Sequence, residues 1–227
     1  MSKELQKLLK KAQSKDDDER YYAVVEIADL AEREAIQPLM AMVNDPSDDV
    51  KLVVASTLGF LGERHEDSAA VPALIQMFKN AGGNTDLKYR IIESLGMIGD
   101  PEVGRLLSES IEEESNPYIL KELINAIGKV KFKPAASKIM GYLDHDEEIV
   151  RLAAAKALGN IGDVDVVDAL FKAADDVSSE VAGNAIISIG KIGDKSAVER
   201  LFELLDKEPR LPARLEAAVR DAINMIK

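Results

Sequence analysis

The chain contains no cysteine and no tryptophan, and it has only two histidines among 227 residues. The missing thiols exclude disulfides, thiolate metal sites and a cysteine nucleophile. Two imidazoles leave too few groups for a histidine-based metal centre or catalytic triad. Aromatic residues are 4% of the chain, so a core must be assembled from Ala, Leu, Ile and Val. No run approaches the 18 or so apolar residues of a membrane span. The start, Met1-Ser2-Lys3-Glu4-Leu5-Gln6-Lys7, lacks the apolar stretch of a signal peptide. Positive charge is also in deficit: 29 Lys and Arg face 41 Asp and Glu, a net charge of −12. Counterion release on nucleic acid, and attraction to anionic lipid, both need clustered cations. The expected partner is therefore neither nucleic acid nor membrane, no cofactor is expected, and the chain reads as a cytoplasmic scaffold rather than an enzyme. Apolar residues make up 46%, enough for one large domain or two small ones.

What the sequence has in abundance is repetition. Ala157-Leu158-Gly159-Asn160-Ile161-Gly162-Asp163 returns as Ser94-Leu95-Gly96-Met97-Ile98-Gly99-Asp100 and as Ser188-Ile189-Gly190-Lys191-Ile192-Gly193-Asp194. Thr57-Leu58-Gly59-Phe60-Leu61-Gly62-Glu63 is a fourth copy and Ala126-Ile127-Gly128-Lys129-Val130 a shortened fifth. Degenerate copies centre on Ala28 and Asn224. The centres are thus 28, 59, 96, 128, 159, 190 and 224, a period near 31. A fixed period of this length marks a stack of supersecondary units.

Each period carries two helical signals. Val150, Ala154, Ala157, Leu158 and Ile161 form one helix face in the second half of a repeat. First halves carry stripes at i, i+3, i+4, i+7: Ile36, Leu39, Met40, Val43; Val71, Leu74, Ile75, Phe78; Val198, Leu201, Phe202, Leu205. No segment alternates with period two. The expectation is all-α, seven helical hairpins in a right-handed α-α superhelix, one continuous domain over 1–227 with repeats near 2–33, 34–66, 67–100, 101–132, 133–163, 164–194 and 195–227.

Gly62, Gly99, Gly162 and Gly193 fall where a left-handed residue ends the second helix, and the acidic residue after each can cap the next helix. Gly59, Gly96, Gly128, Gly159 and Gly190 lie inside that helix, each costing about 1 kcal/mol of propensity against Ala. A cost repeated five times implies a packing reason, the close crossing of the next repeat. The end copies lack this glycine, as terminal repeats with one neighbour do.

The pattern over Val150–Asp163, Val-Arg-x-x-Ala-Ala-x-Ala-Leu-Gly-x-Ile-Gly-Asp, resembles the short HEAT-like repeat named after the phycobilisome lyases, and the likeness extends over essentially the whole chain. The resemblance implies an α-solenoid whose second helices line a concave wall. It also implies that a basic residue eight before the central glycine pairs with an acidic side chain in the preceding turn. Arg20, Lys51, Lys88 and Arg151 occupy that place, whereas Leu120, Ala182 and Glu216 do not.

Counting from the central residue, positions −7, −6, −3 and +1 of the second helix should face outward. They read Tyr21, Tyr22, Val25; Leu52, Val53, Ser56, Phe60; and Tyr89, Arg90, Glu93, Met97 in the first half. Further on they read Lys121, Glu122, Asn125, Lys129; Leu152, Lys156, Asn160; and Asn184, Ile187, Lys191. The expected wall runs from apolar and aromatic to mildly basic. Two readings stand side by side: anchors for another protein or peptide segment, or side chains tucked into ordinary core. Likewise Lys129, Lys156 and Lys191 are either a solvated face or a seat for an acidic segment.

Other chemistry finds little support. His65-Glu66 evokes the His-Glu pairs of HEAT-like hydroxylases of the deoxyhypusine type, but one pair cannot gather the ligands iron needs, and a solvated turn is expected. Asp16–Glu19, Asp48-Asp49 and Asp144–Glu148 do not have calcium-loop spacing and suit helix N-termini. Gly128-Lys129 and Gly190-Lys191 lack the first glycine of a phosphate loop, since Leu123 and Ala185 stand there. HEAT-like alkylpurine glycosylases grip DNA with basic and aromatic groups that this acidic chain lacks. Insertions break the period around Glu63–Ser68, in Lys79–Asp86 and around Lys207–Pro212, each a partner-contacting loop or a neutral insertion. The function expected is a non-enzymatic adaptor that holds a protein segment on its concave face; the alternative, from the resemblance, is a bilin lyase or chaperone subunit.

Overall fold

A computed structural model describes residues 1–206 and 210–227. Among the described residues there is no strand, and fourteen α-helices pair into seven hairpins as the repeat requires. They group into two compact units, Met1–Val103 and Gly104–Lys227.

The first unit holds α1 (Lys3–Lys11), α2 (Asp17–Leu30), α3 (Ile36–Met40), α4 (Asp48–His65), α5 (Val71–Asn80) and α6 (Thr85–Ile98). The second holds α7 (Val103–Glu113) from its second residue onward, then α8 (Pro117–Lys129), α9 (Ala136–Met140), α10 (Glu148–Ile161), α11 (Val167–Ala173), α12 (Ser179–Ile192), α13 (Ala197–Leu205) and α14 (Ala213–Ile226). Local chemistry sets the starts of the second helices. The Asp16 side chain accepts from the Glu19 backbone N–H at 3.0 Å and Asn84 from Leu87 at 3.0 Å. Ser178 serves α12 in the same way. Each such cap contributes about 1 kcal/mol.

Second helices pack side by side, α2 on α4 and α4 on α6 in the first unit, α8 on α10, α10 on α12 and α12 on α14 in the second. First helices cover the other side: α1 lies on α2, α3 on α4 and α5 on α6. The core between the layers is fully buried Leu5, Ile27, Leu39, Leu58, Leu74 and Leu95 in one unit and Leu123, Ile139, Leu158, Leu170 and Ile189 in the other. Each contributes about 1.5–3 kcal/mol by leaving water.

The internal glycines explain how close the second helices come. A methyl placed on Gly59 would lie 2.6 Å from Ser94 Cβ, and one on Gly159 would lie 2.4 Å from Ser188 Oγ. At these crossings the serine hydroxyl reaches into the neighbouring helix: Ser94 Oγ lies 2.9 Å from the Ala55 carbonyl and Ser188 Oγ donates to the Ala155 carbonyl at 2.8 Å. Small residues and buried hydroxyls with acceptors therefore hold adjacent repeats in register.

Four expectations are corrected. Gly62 does not end its helix. It is buried inside α4 against Ile98, and Glu66 takes the left-handed conformation instead, at φ 51°; Gly99, Gly162 and Gly193 do take it. Four of the inserted residues thus form one more helical turn, because four residues nearly equal a turn and leave the buried face in phase. Consequently Glu63 is helical, and Asp67 caps the following 3₁₀ turn, Ser68–Ala70, by accepting from Ala69 at 2.9 Å. Third, Phe78 is only half-buried and Met77 takes the core place in α5. Fourth, Phe202 of α13 is 46% exposed, since Ala197 and Leu201 carry that helix's contact. The Lys79–Asp86 insertion becomes the end of α5, a turn through Gly82 at φ 55°, and the Asn84 cap. Of the last insertion, Lys207, Glu208 and Pro209 lie outside the described residues.

Candidate functional site

A pair of arginine–aspartate forks fixes the turns at the entrance to the second helices. Arg20 donates through Nε and Nη2 to Asp45 at 2.7 and 2.8 Å, and Arg151 through the same atoms to Asp176 at 2.8 and 3.1 Å. Each aspartate also accepts a backbone N–H, from Ser47 at 2.9 Å and Ser178 at 2.7 Å. Burial alone would raise both carboxyls; the guanidinium fork and the backbone N–H outweigh it and hold both below the usual carboxylate range. The acidic partner therefore lies in the turn of the following repeat, not in the preceding turn as the resemblance implied. The preceding turn supplies a backbone carbonyl instead, Ser14 to Arg20 and His145 to Arg151. Lys51 pairs within its own repeat, with Asp48.

In the first unit the Arg20–Asp45 fork ties the first turn of α2 to the turn that precedes α4, and a recess lies between the first turns of α2, α4 and α6. It has a volume of about 440 Å³. Tyr21 from α2, Leu52, Val53 and Ser56 from α4, and Tyr89 and Arg90 from α6 line its floor and walls; Asp49 and Asp86 stand at its edge. A smaller recess of about 250 Å³ continues past Tyr21 and Asp49 to Asp17, Asp18, Tyr22 and Ser47. The two share Tyr21 and Asp49, so they form one trough along the helix entrances.

Of the expected wall residues, Tyr21, Leu52, Ser56, Tyr89 and Arg90 come together here. All five are half-buried, neither sealed in core nor free in solvent. Tyr22 is 61% exposed and meets Tyr21 edge to face, with ring centroids 5.4 Å apart. Val25, Phe60, Glu93 and Met97 are also half-buried on the same three helices but do not line the recess. Arg90 donates to Glu93 at 2.5 Å, which ties the guanidinium down along its own helix.

Sequence reasoning assigned Asp18 and Asp49 to helix N-termini and Asp86 to an insertion, and did not group the three as bordering the trough. Asp18, Asp49 and Asp86 each stand ten residues before the centre of their repeat, one turn above the −7 and −6 positions. The register that selected the wall would have selected them, had it been carried one turn further.

In the second unit the expected wall is different. Lys129 and Lys191 are exposed and Lys156 is half-buried; Lys191 donates to Asn160 at 3.2 Å. Glu122, expected to face outward, is buried, with its carboxylate 4.0 Å from Lys121 Nζ. A small residue is normal at −6, and here a carboxylate is taken in with its cation alongside.

His65 is structural rather than a solvated turn residue. Its Nε2 lies 2.8 Å from the carbonyl of Ala31, at the end of the preceding repeat's helix. Beside it Arg33 donates to Asp67 at 2.7 Å. Among the described residues no group of three or more His, Cys, Asp or Glu could hold a metal ion, and no helix is long and apolar enough to cross a membrane.

Comparison with known proteins bears on this architecture. The chain is 25% identical over 199 residues to phycocyanobilin lyase subunit alpha of a Picosynechococcus strain, covering 78% of this chain and 72% of that one. The structure of the complex of CpcE and CpcF of phycocyanin lyase from Nostoc sp. PCC7120 matches with a TM-score of 0.62 at 20% identity, over 98% of this chain and 94% of that one. The archaeal HEAT-like repeats protein from Thermococcus onnurineus NA1 matches with the same score at 13% identity, over 100% and 97%. The model of HEAT repeats itself matches residues 5–83 and 136–220. With hairpins stacked through glycine crossings and the sequence model covering well over half the chain, the protein belongs to the HEAT repeat family.

Proposed function

We propose that the chain is a non-enzymatic adaptor, acting in the cytoplasm, whose second-helix wall in the first unit holds a segment of another protein. The observation that carries this reading is the half-buried trough of Tyr21, Leu52, Val53 and Tyr89 on an otherwise charged surface. Aromatic and apolar groups held half-exposed by a rigid frame lose little entropy on binding and gain a full desolvation. Phe60 and Met97 stand half-buried further along the same two helices, α4 and α6, outside the recess itself, and we assign them to the same binding wall. Replacing Phe60 and Met97 by Ala should weaken capture of a protein partner drawn from native extract while leaving the helical melt close to wild type. Undiminished capture by the double variant would show that the segment docks elsewhere.

A second reading is favoured by the 25% identical relative: a bilin lyase or chaperone subunit, working beside a related chain. Titrating the purified protein with a linear tetrapyrrole distinguishes the two. A red or blue shift of the visible band, at stoichiometric protein, supports the bilin reading; an unchanged spectrum supports the adaptor.

A further inference from the structure

We propose that the segment taken up by the first unit is basic and extended, carrying Lys or Arg at about every third residue. This rests on the adaptor reading and specifies its occupant by charge and spacing. The trough is apolar in its floor and anionic along its edge. Asp18, Asp49 and Asp86 lie at one register position of three successive helices, α2, α4 and α6. Among the described residues none of the three carboxylates has a hydrogen bond or an ion pair. Their neighbours are already engaged: Asp16 caps α2, and Asp48 accepts from Asn84 at 3.0 Å and pairs with Lys51. Charge placed only to favour a helix N-terminus needs no particular side of the first turn, yet Asp49 and Asp86 both border the same recess.

The cation within the recess does not oppose a basic ligand, because Arg90 is paired to Glu93. Tyr21 brings a phenol ring to the recess, and alkylammonium and guanidinium groups are attracted to aromatic faces. Spacing supports an extended occupant. Packed helices lie about 8–10 Å apart, and three residues of polyproline-II backbone advance about 9 Å, so cations three apart fall in step with successive carboxylates. In the second unit the equivalent positions are Tyr118, Ile149, Glu180 and Arg214, which breaks the ladder and confines the proposal to the first unit.

Fluorescence anisotropy with the full chain tests it, using a labelled peptide of about ten residues with Lys at i, i+3 and i+6 in a Pro/Ser background. Matched peptides carry Glu or Leu in place of Lys. The Lys peptide should bind selectively and lose about tenfold in affinity in the Asp18→Asn, Asp49→Asn, Asp86→Asn triple variant, three part-exposed ion pairs acting together. A control triple in the second unit, Asp165→Asn, Glu199→Gln and Asp221→Asn, changes net charge equally and should leave binding intact. Equal loss in both triples, or no loss in the first, overturns the proposal, as does preference for the Leu peptide or binding of none. If the Phe60 and Met97 variant still releases its native partner in any of these cases, the adaptor reading survives and only the charge assignment falls.

Discussion

The two units use the same frame and line it differently. Arg20–Asp45 in the first has its counterpart in Arg151–Asp176 in the second, and Gly59 against Ser94 has its counterpart in Gly159 against Ser188. The wall built on that frame is aromatic with an acidic edge in one unit and lysine- and asparagine-bearing in the other. The difference teaches which residues a HEAT stack cannot vary and which it can. Crossings are set by van der Waals distance, so small residues recur there, whereas the bidentate fork recurs once in each unit, at Arg20 and at Arg151. Wall positions are only partly enclosed by the frame, so packing constrains them less and they differ between the units.

The sharpest way to break the equivalence of the frames is to overfill the crossings. Gly59→Val and Gly159→Val should each cost about 3 kcal/mol or more, since a Cβ already meets the serine at 2.6 and 2.4 Å and branching adds to the overlap. Chemical denaturation checks this; a loss in only one unit would show that the crossings are not equivalent. Next come the forks. Asp45→Asn and Asp176→Asn should each cost about 2 kcal/mol at neutral pH, the value of hydrogen bonds to a charged group. Both carboxyls are depressed in the folded state. Their stabilisation is therefore complete above the ordinary carboxylate range and is lost as pH falls through the depressed folded values. The gap between wild type and variant in thermal melts should accordingly close in acid, and a gap independent of pH would contradict the assignment. The smallest effect has the opposite sign. Gly183 lies inside α12, and a methyl there meets only Leu215 at an ordinary 3.5 Å. Gly183→Ala should raise stability by about 0.5–1 kcal/mol through helix propensity, which separates a wall glycine from a crossing glycine by calorimetry.

How much of this was legible beforehand depends on the length scale of the information. The repeat centres, the hairpin count and the close crossings follow from apolar period and from glycine tolerated where it is costly. Gly62 misled because its motif matches the other caps; only the packing of Ile98 against it, and His65 reaching the Ala31 carbonyl, shows that the helix runs on. Phe202 misled because a stripe shifted by one residue is almost as periodic as the true one. Among the wall residues, Tyr21, Leu52, Ser56, Tyr89 and Arg90 share a recess as register alone suggests, while Asp18 and Asp49 read as helix-dipole partners and Asp86 as part of an insertion, because nothing local shows that they border one recess.

The amino-acid order by itself determined that helices form, where most of them end and that neighbours must approach closely, because those properties depend on residues within a turn or two. Only the tertiary structure decided that Asp45 rather than a residue of the preceding turn receives Arg20, that Glu122 is taken inside, and that Tyr21, Asp49 and Tyr89 share one trough. Such pairings join side chains of different repeats, 25 residues apart for Arg20 and Asp45, and their distances depend on the rise and rotation between packed hairpins, which no helical period encodes.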